Sequence, residues 1–409
     1  MTDFLTAAEA ARRLGVKPAT LYAYVSRGVL TRTRGADGRA SLFDAAEIER
    51  LARRGRPRRP PGAIDITVES QITEIAGDRL RYRGLDVIEL ARTRSFEDVA
   101  TLLWTGALGQ ESQARQESQA WQAPAAALAV GRAAQSALPS QTLPLERLQV
   151  IVPAMAATDP LRLHLDRPAV MAAGRSVIAG MVDCLPAQDT PATQDCDIAP
   201  IAARLWGRLC VRAPSRAMLR ALSAALVLLA DHELAASTLA ARAAASVRAD
   251  PYAVVATGLG AVSGALHGGA SLGAETLLAA AAGPADAPRV VGDLLRRGEK
   301  VPGFGHFVYR TADPRGQLLL DLVRRAAPKS RQLAVADAIL AEVSRRSLPE
   351  PNIDFAVATL ARSAGMIRGA GEAIFAIARA AGWTAHALEA YESGVPLRPR
   401  AAYIGPVYA

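Results

Sequence analysis

Several stretches of this chain combine apolar residues at helical spacing with a helix-capping signal at their start. In "SFEDVATLLWTG", Ser95 and Asp98 form a capping box, and apolar residues follow three and four positions apart until Gly106. Strand-like alternation is confined to short pieces, such as the two in "ESQITEIAGDRLRYRG" on either side of an Ala-Gly-Asp turn. The pattern therefore predicts a mainly α fold.

The start of the chain holds a small set of elements of its own. Thr6 and Glu9 make a capping box ahead of "AAEAARRLG", Pro18 opens the helix "PATLYAYVSRG", and Asp44 caps "AAEIERLARR". Between the last two helices, "LTRTRGADGRASLF" alternates around an Asp-Gly turn, as a β-hairpin does. This order of elements predicts a small winged helix-turn-helix domain over residues 1–55.

Composition agrees with a helical protein and argues against several other classes. Half of the 409 residues are apolar, and alanine, the best helix former, supplies much of that share. The three cysteines, Cys184, Cys196 and Cys210, form no Cys-x-x-Cys pair, which favours free thiols in a reducing cytoplasm over disulfides or a zinc site. The first residues show no export signal, so a cytoplasmic protein is expected.

One segment has the length of a membrane span, because residues 251–274 include no charged residue. Its six glycines, its histidine and its preference for alanine over leucine favour a buried helix and turn instead. The same segment contains "GLGAVSG", a near match to a dinucleotide-binding fingerprint. Serine replaces the third glycine and no β-branched strand precedes the motif, so we reject that interpretation.

Charge is distributed unevenly along the chain. Up to residue 61 there are thirteen Arg and Lys against six Asp and Glu, a net of +7, so only +2 of the total +9 belongs to residues 62–409. The basic, proline-broken stretch "RRGRPRRPPG" predicts a linker over residues 56–64 and a second domain over residues 65–409.

Candidate chemistry centres on histidine, since four of the five histidines lie in dense local motifs. These are "LLADHELAAST" with His232, "GALHGGAS" with His267, "GFGHFVYRTADPR" with His306 and "ARAAGWTAHA" with His386. A single histidine in an apolar stretch is usually a hydrogen-bonded core residue, and glycine and acidic neighbours favour a functional role here. No two of them share a His-x-x-x-His helical face, so acid–base chemistry is favoured over a zinc site.

The surroundings of these residues indicate enolisation. His267 precedes a predicted helix, whose positive end keeps an imidazole neutral and able to donate to an oxygen that gains charge. Asp354 stands just before an apolar helix in "PNIDFAVATLARSAG" and, when partly desolvated, suits a base toward a carbon acid. Three arginines are able to hold carboxylates: Arg315, Arg379 and Arg398. The pattern predicts a multi-carboxylate substrate beside an enolisable partner.

Seven motifs, in order, resemble those of the citrate synthase family over about residues 65–409. They are "YRGLDVIELA", "ADHELAAST", "LHGGA", "VPGFGHFVYRTADPR", "NIDF", "GW-AH" and "RPRAAYIG". The resemblance implies an all-α, two-lobed, homodimeric enzyme that condenses acetyl-CoA with oxaloacetate and hydrolyses citryl-CoA to citrate and CoA. It also implies a small lobe at about residues 272–375 that closes over substrate, and no metal or cofactor.

The same motifs imply a role for each candidate residue. Asp354 would remove a methyl proton from acetyl-CoA, His267 would donate to the thioester oxygen, and His306 would polarise and then protonate the carbonyl of oxaloacetate. The implied oxaloacetate and citrate ligands are His232, Arg315, Arg379 and Arg398, the last acting across the dimer interface. The implied CoA-binding residues are Val301, Pro302, Gly303, Phe304, Gly305 and Arg310, where the glycines let the main chain approach the adenine.

Departures from the family pattern leave the acyl-CoA open. Leu229 stands where many relatives have histidine, Phe307 where bacterial relatives often have arginine, and Ser271-Leu272 where many read Asn-Glu in "HGGANE". A 2-methylcitrate synthase, which uses propionyl-CoA, therefore stays an alternative. A further alternative is a transcription regulator whose enzyme-like domain senses CoA esters or citrate, although the intact histidines and aspartate argue against it.

The first 55 residues resemble the DNA-binding domain of the MerR and excisionase families. On that likeness Thr20, Tyr22 and Tyr24 lie on the recognition helix, and the wing offers three arginines to phosphates: Arg32, Arg34 and Arg39. No Asn or Gln suited to reading bases is evident, so a small domain used for protein contacts remains the alternative.

Overall fold

In the computed structural model the chain divides into a small unit, residues 1–69, and a large unit, residues 70–409, each with its own hydrophobic core. The structure describes residues 4–14, 16, 18–26, 30–34, 41–45, 47–48, 67–108, 121–188, 199–309 and 311–401. The predicted linker over residues 56–64 lies outside the described residues.

The small unit consists of short helices and a three-stranded antiparallel sheet. Its elements are β1 (Phe4–Thr6), α1 (Ala7–Leu14), α2 (Pro18–Ser26), β2 (Thr33–Arg34) and β3 (Ser41–Asp44), with strand order β1-β3-β2. The predicted capping box is present, since the Thr6 amide and hydroxyl donate to the Glu9 carboxylate at 2.9 and 2.8 Å. The predicted winged helix-turn-helix is confirmed, although the tip of the wing, residues 35–40, lies outside the described residues. Strand β1 was not predicted, because three residues are too few to show alternation.

The large unit opens with a small antiparallel sheet. Strands β4 (Thr73–Ala76), β5 (Arg79–Tyr82) and β6 (Leu85–Asp86) lie side by side in chain order. Ile75 pairs with Leu80 across the turn at Gly77 and Asp78, both of which have positive φ. The predicted pair of extended pieces is confirmed.

The rest of the described large unit is helical, which confirms the mainly α fold. The helices are α3 (Val87–Thr93), α4 (Phe96–Thr105), α5 (Ala125–Ser136), α6 (Pro144–Ala156), α7 (Arg167–Asp183), α8 (Ile201–Leu209), α9 (Arg216–Leu229), α10 (Ala236–Ser246), α11 (Pro251–Val262), α12 (Gly269–Ala279), α13 (Ala287–Arg296), α14 (Pro314–Ala326), α15 (Arg331–Arg345), α16 (Ile353–Ala364) and α17 (Ala370–Ser393). A 3₁₀ turn, Pro284–Asp286, precedes α13. The predicted capping box of Ser95 and Asp98 starts α4, and Gly106 ends it in the left-handed conformation.

Helix α17 forms the centre of the large core. It packs against α4, α7, α9, α10 and α11, and almost every residue from Ala370 to Tyr391 is buried. A helix that is apolar around its whole circumference is stable only inside a core. Its few polar side chains, Arg379 and His386 among them, are therefore carried into the interior.

Three helices present their N-terminal ends to the candidate residues. Helix α16 packs against both α12 and α14. His267 lies just before α12, Arg315 lies in the first turn of α14, and Asp354 lies in the first turn of α16. The packing of these helices thus decides how close the three side chains come.

Two local predictions can also be compared with the structure. The uncharged segment 251–274 is divided between α11 and α12 with a turn between them, and no helix in the described part of the chain is long and apolar enough to cross a membrane. Cys184 and Cys210 are buried and in no disulfide, as predicted, and Cys196 lies outside the described residues.

Candidate active site

The first group of candidate residues gathers around His306. The rings of His232 and His306 lie 5.2 Å apart between centroids, and Arg315 Nη2 lies 3.4 Å from His306 Nε2. Tyr309, which the sequence analysis did not single out, joins them, since its hydroxyl lies 2.9 Å from His232 Nε2 and its ring centroid 4.7 Å from that of His306. The Arg315 guanidinium also lies 5.4 Å from the Tyr309 ring centroid, so this buried tyrosine contacts all three candidates.

The second group gathers around Phe375. The His267 ring lies edge-on to it with centroids 5.5 Å apart, and the Arg379 guanidinium lies 4.6 Å from the Phe375 centroid. The charge of Arg379 helps to lower the pKa of His232, of His267 and of Asp354. The two groups therefore form one cluster, which we call the candidate cluster: His232, His267, His306, Arg315, Asp354 and Arg379.

The glycine-rich loop at residues 301–306 is fixed to the start of α16. Gly303 and Gly305 both have φ near +81°, and a Cβ on Gly303 would lie 2.8 Å from Phe355 Cβ. Asn352 bonds to both glycines, its amide donating to the Gly303 carbonyl and its Nδ2 to the Gly305 carbonyl, each at 2.9 Å. The sequence analysis assigned these glycines to the approach of CoA, whereas the structure shows that Gly303 is required for the approach to α16.

Asn352 also sets the place of Asp354. Its Oδ1 accepts from the amides of Asp354 and Phe355 at 3.0 and 3.4 Å, which makes Asn352 the N-cap of α16. Asp354 therefore lies inside the first turn of the helix, where the sequence analysis had placed it just before the helix.

Loss of hydration raises the pKa of Asp354 to about 6. The Ser271 hydroxyl, which donates to Asp354 Oδ1 at 2.6 Å, and the charge of Arg315 oppose this increase, while Asp313 adds to it. A carboxyl group of this kind is mostly ionised at pH 7 and is still basic enough to accept a proton.

His267 is neutral, and its Nε2 lies beside a serine hydroxyl. Ser237 Oγ lies 2.7 Å from His267 Nε2, and Trp383 Nε1 donates to Ser237 Oγ at 3.3 Å. Because an indole can only donate, the hydroxyl hydrogen of Ser237 is free to point at Nε2, and in the tautomer that accepts it the imidazole proton is on Nδ1. Burial, with Arg379 adding to it, lowers the pKa of His267 to about 4. The positive end of α12 predicts a neutral His267, and burial in the structure is a second cause.

His306 is neutral for the same reasons. Burial and then the charge of Arg315 lower its pKa to about 4. The Val308 amide donates to His306 Nδ1 at 3.0 Å, so the proton of the neutral ring is on Nε2. Arg315 Nη2, a second donor, lies 3.4 Å from Nε2, and two neighbouring donors suit an oxygen atom of a ligand.

The two buried arginines of the cluster differ in how their donors are used. Arg315 grips Asp313 with two nitrogens, Nε to Oδ1 at 3.0 Å and Nη2 to Oδ2 at 2.9 Å. Arg379 is 1% exposed, and its Nε donates to the Leu229 carbonyl at 2.8 Å. Its Nη1 has no hydrogen-bond partner among the described residues. Arg379 is thus a buried cation with an unused donor.

The remaining predicted residues of the large unit are not part of the contacts described above, or lie outside the described residues. Arg398 is exposed in the extended segment that follows α17, and Arg310 lies outside the described residues. Phe307 is fully exposed, whereas the side chain of Leu229 is buried in the core. Val301 is buried and Pro302 is half-buried.

The glycine-rich loop borders a cavity of about 540 Å³. Its wall is lined by Phe304, Gln317, Leu320, Asp321, Arg324, Leu340, Ala341, Val343, Ser344, Leu348, Pro349, Glu350 and Pro351. Arg324 is paired with Asp337 at 2.8 Å. The apolar part of this wall suits an uncharged planar group better than a phosphate. Among the described residues, no three His, Cys, Asp or Glu side chains are grouped to hold a metal ion.

The predicted DNA-contacting residues of the small unit fall on its second helix and its sheet. On α2, Thr20 and Tyr22 are exposed, whereas Tyr24 is half-buried against the small core. Arg32 is exposed just before β2, and Arg34 lies in that strand. Arg39 lies outside the described residues.

The sequence did not indicate which residues hold the side chains of the candidate cluster in place. Ser237 and Trp383 hold His267, Tyr309 contacts His232, and Ser271 holds Asp354. Ser237 and Trp383 do lie inside two of the motifs listed above, "ADHELAAST" and "GW-AH". That membership was the signal available, but no spacing along the chain indicates which side chain each would meet.

Comparisons with known proteins agree with this division of the chain. The family model described as citrate synthase, C-terminal domain, matches residues 65–400, and one described as a helix-turn-helix domain matches residues 4–56. A citrate synthase from Haloferax volcanii is 33% identical over 356 residues, covering 83% of this chain and 94% of that protein. A 2-methylcitrate synthase from Mycobacterium tuberculosis is 30% identical over 353 residues, covering 84% and 88%.

A solved structure shows the same fold. The citrate synthase of Thermoplasma acidophilum, in a ternary complex with carboxymethyl coenzyme A and oxaloacetate, superimposes with a TM-score of 0.70. The two chains are 25% identical, and the match covers 84% of this chain and 96% of that one.

The first prediction concerns the protonation of the cluster histidines. Histidine-selective NMR should show the rings of His267 and His306 neutral from pH 8 down to about pH 5, with midpoints at about 4. In urea the same rings should titrate at about 6.5. Because the folded-state pKa values lie below the unfolded ones, stability should fall as the pH drops from about 6.5 toward 4. A midpoint near 6.5 for either ring in the folded protein would contradict the prediction.

Proposed function

The chain belongs to the citrate synthase family, and on that premise we propose that its large unit condenses acetyl-CoA with oxaloacetate and hydrolyses citryl-CoA to citrate and CoA. The buried guanidinium of Arg379, with Nη1 unpartnered among the described residues, is the observation that carries the proposal. A buried cation with an unused donor is unfavourable until an anion binds beside it. Oxaloacetate, a dicarboxylate, is such an anion.

The first step is the removal of a methyl proton from acetyl-CoA. Asp354 accepts this proton, and the Nδ1–H of His267 donates to the thioester oxygen as the enol forms. The two groups come from the N-terminal ends of packed helices, α16 and α12, so they approach one small substrate from two sides. The pKa of about 6 for Asp354 supports a base that works at neutral pH.

The second step joins the enol to the carbonyl carbon of oxaloacetate. The Nε2–H of His306 polarises the carbonyl oxygen and supplies its proton as the carbon–carbon bond forms. The carboxylates of oxaloacetate and citrate are held by His232, Arg315 and Arg379 of one subunit and by Arg398 of its partner in a homodimer. The 3.4 Å contact between His306 Nε2 and Arg315 Nη2 supports the assignment of these two groups to the carbonyl oxygen and the neighbouring carboxylate of oxaloacetate.

CoA is bound along the glycine-rich loop, Val301 to Gly305, with Arg310 on a phosphate. The cavity beside Phe304 supports a place for the adenine, since its wall is apolar around Phe304, Leu348 and Pro349. The chemistry uses side chains alone and needs no cofactor beyond the acyl-CoA substrate. The lobe over residues 272–375 closes to exclude water from the enol.

A second acyl-CoA is supported by a specific comparison. A protein 30% identical over most of this chain is a 2-methylcitrate synthase, and propionyl-CoA differs from acetyl-CoA by one methylene. A single methylene changes specificity by only about 1 to 3 kcal/mol.

We also propose that the small unit binds DNA. The helix-turn-helix match over residues 4–56, the charge of +7 up to residue 61 and the exposure of Thr20, Tyr22 and Arg32 support this role. Helix α2 would enter the major groove, and the wing arginines would contact phosphates. A regulator that only senses CoA esters would need no base at Asp354, which favours an active enzyme that also carries a DNA-binding domain.

Replacing the proposed base tests the enzyme directly. Asp354→Asn keeps the shape of the side chain and removes its basicity, so CoA release from acetyl-CoA and oxaloacetate should fall by at least about 100-fold. Binding of oxaloacetate, measured by calorimetry, should change little. Asp293→Asn, at a partly exposed carboxylate on α13 that pairs with Arg289 and Arg296, is the control and should keep wild-type turnover. If Asp354→Asn keeps half the wild-type rate, the assignment is wrong; propionyl-CoA in the same assay identifies the preferred acyl group.

Mixing two inactive variants tests the shared site. Asp354→Ala and Arg398→Ala are each expected to be inactive, and exchange of subunits should make about half the dimers mixed. If Arg398 serves the partner's site, each mixed dimer has one site with both changes and one with neither. About a quarter of wild-type activity should then return. If Arg398 serves its own chain, every site carries one change and no activity returns even after proven exchange.

The DNA-binding proposal predicts a steep dependence on salt. The intact protein should retard a DNA duplex at low ionic strength, and the logarithm of its affinity should fall linearly with the logarithm of salt concentration. Arg32→Ala should reduce that slope by about one, whereas Arg296→Ala, at an exposed arginine of the large unit, should not. No binding even at low salt would favour a domain used for protein contacts.

A further inference from the structure

Ser271 links Asp354 and His267, the two residues of the candidate cluster that act in the first step. It lies in the first turn of α12, four residues after His267, and it is fully buried. Its hydroxyl donates to Asp354 Oδ1 at 2.6 Å. We propose that Ser271 is a positioning residue for proton abstraction, one that holds Oδ1 of Asp354 so that Oδ2 faces the carbon acid. This role rests on the proposed function, because it concerns the same proton transfer.

The hydrogen bond fixes the geometry of two helices as well as one side chain. Asp354 is on α16 and His267 immediately precedes α12, and these helices pack against each other. The base and the enol-stabilising donor must act on neighbouring atoms of one acetyl group, so their separation has to be constant to within a few tenths of an ångström. A direct bond from α12 to Asp354 supplies that constraint.

The surroundings favour a small hydroxyl residue at this position. A Cβ placed on Gly371 would lie 3.3 Å from Ser271 Cβ and 2.9 Å from Glu275 Oε1, so α17 approaches α12 very closely here. A longer side chain at residue 271 would have to displace α17 or Asp354. Ser271 is also one of the departures from the family pattern noted above, where many relatives have asparagine. The O–H donor to Asp354 is thus a property of this chain's own sequence.

The other groups around Asp354 do not replace this bond. From the start of α14, Arg315 and Asp313 face it with opposite charges and are bonded to each other, Nη2 to Oδ2 at 2.9 Å. From α17 comes the charge of Arg379, whose Nε is committed to the Leu229 carbonyl. Loss of hydration raises the pKa of Asp354, and the Ser271 hydrogen bond is the largest influence that lowers it.

Removal of the hydroxyl should therefore change the pH dependence of turnover in a defined direction. Asp354 must be ionised to accept a proton, so kcat falls as the pH drops through its pKa. In Ser271→Ala that pKa rises, and the acid limb of kcat should move to higher pH by about one unit. At pH 6 kcat should be about five-fold lower, while KM for oxaloacetate stays within about two-fold.

Two further variants keep the test decisive. Ser271→Cys has nearly the same volume and a weaker donor, so its acid limb should lie between those of the wild type and Ser271→Ala, even if the alanine variant folds poorly. Thr276→Ala removes a hydroxyl of the same helix that donates to the Leu272 carbonyl. This matched control should keep the wild-type acid limb and kcat.

The outcomes separate this proposal from the proposed function. An acid limb that moves in Ser271→Ala or Ser271→Cys, and not in Thr276→Ala, supports the positioning role. An unchanged acid limb overturns it, whether kcat is unchanged or is lowered uniformly at all pH values, since a uniform loss is what a purely structural residue gives. Absence of CoA release by the wild-type protein with either acyl-CoA would instead reject the proposed function.

Discussion

A guanidinium buried at the centre of a helical core is the constraint on which the rest of the large unit depends. Arg379 is carried inward by α17, where its Nε donates to the Leu229 carbonyl and its Nη1 has no hydrogen-bond partner among the described residues. The Phe375 ring covers the guanidinium, and Asp231 provides a nearby opposite charge. A buried, incompletely bonded cation lowers the stability of the fold, so other interactions of the surrounding helices have to offset that cost. The extensive apolar packing around α17 provides that support, and the unused donor is where we propose that an anion binds.

A second polar network holds the segment that carries His232. Asp231 is fully buried, and its Oδ2 accepts from Thr73 at 2.5 Å and lies 3.4 Å from His386 Nε2. His386 Nδ1 in turn lies 3.0 Å from Arg242 Nη1. The network thus ties β4, α10 and α17 to the end of α9, where His232 begins the site. His386 is accordingly a hydrogen-bonded core histidine, the ordinary role of a histidine in an apolar stretch.

Burial shifts the pKa values of the acid–base groups in opposite directions. Removal from water penalises the charged form of any group, so it raises the pKa of Asp354 and lowers those of His267 and His306. The result is a base whose pKa is close to neutral pH, together with two uncharged hydrogen-bond donors. Enolisation and carbonyl polarisation need this combination. All of these residues lie in the large unit, residues 70–409.

Features that depend on neighbours along the chain could be predicted from the amino-acid sequence. Capping pairs such as Ser95 and Asp98, the short sheet around its Gly-Asp turn and the helical character of the large unit could be predicted because they need only residues a few positions apart. The motifs also identified the family and named the candidate cluster. Only the tertiary structure decided which side chains meet. Ser271 and Asp354 are 83 positions apart and Arg379 and Leu229 are 150 apart, so helix packing alone brings them into contact. Protonation depends on burial, and burial is a property of the assembled core.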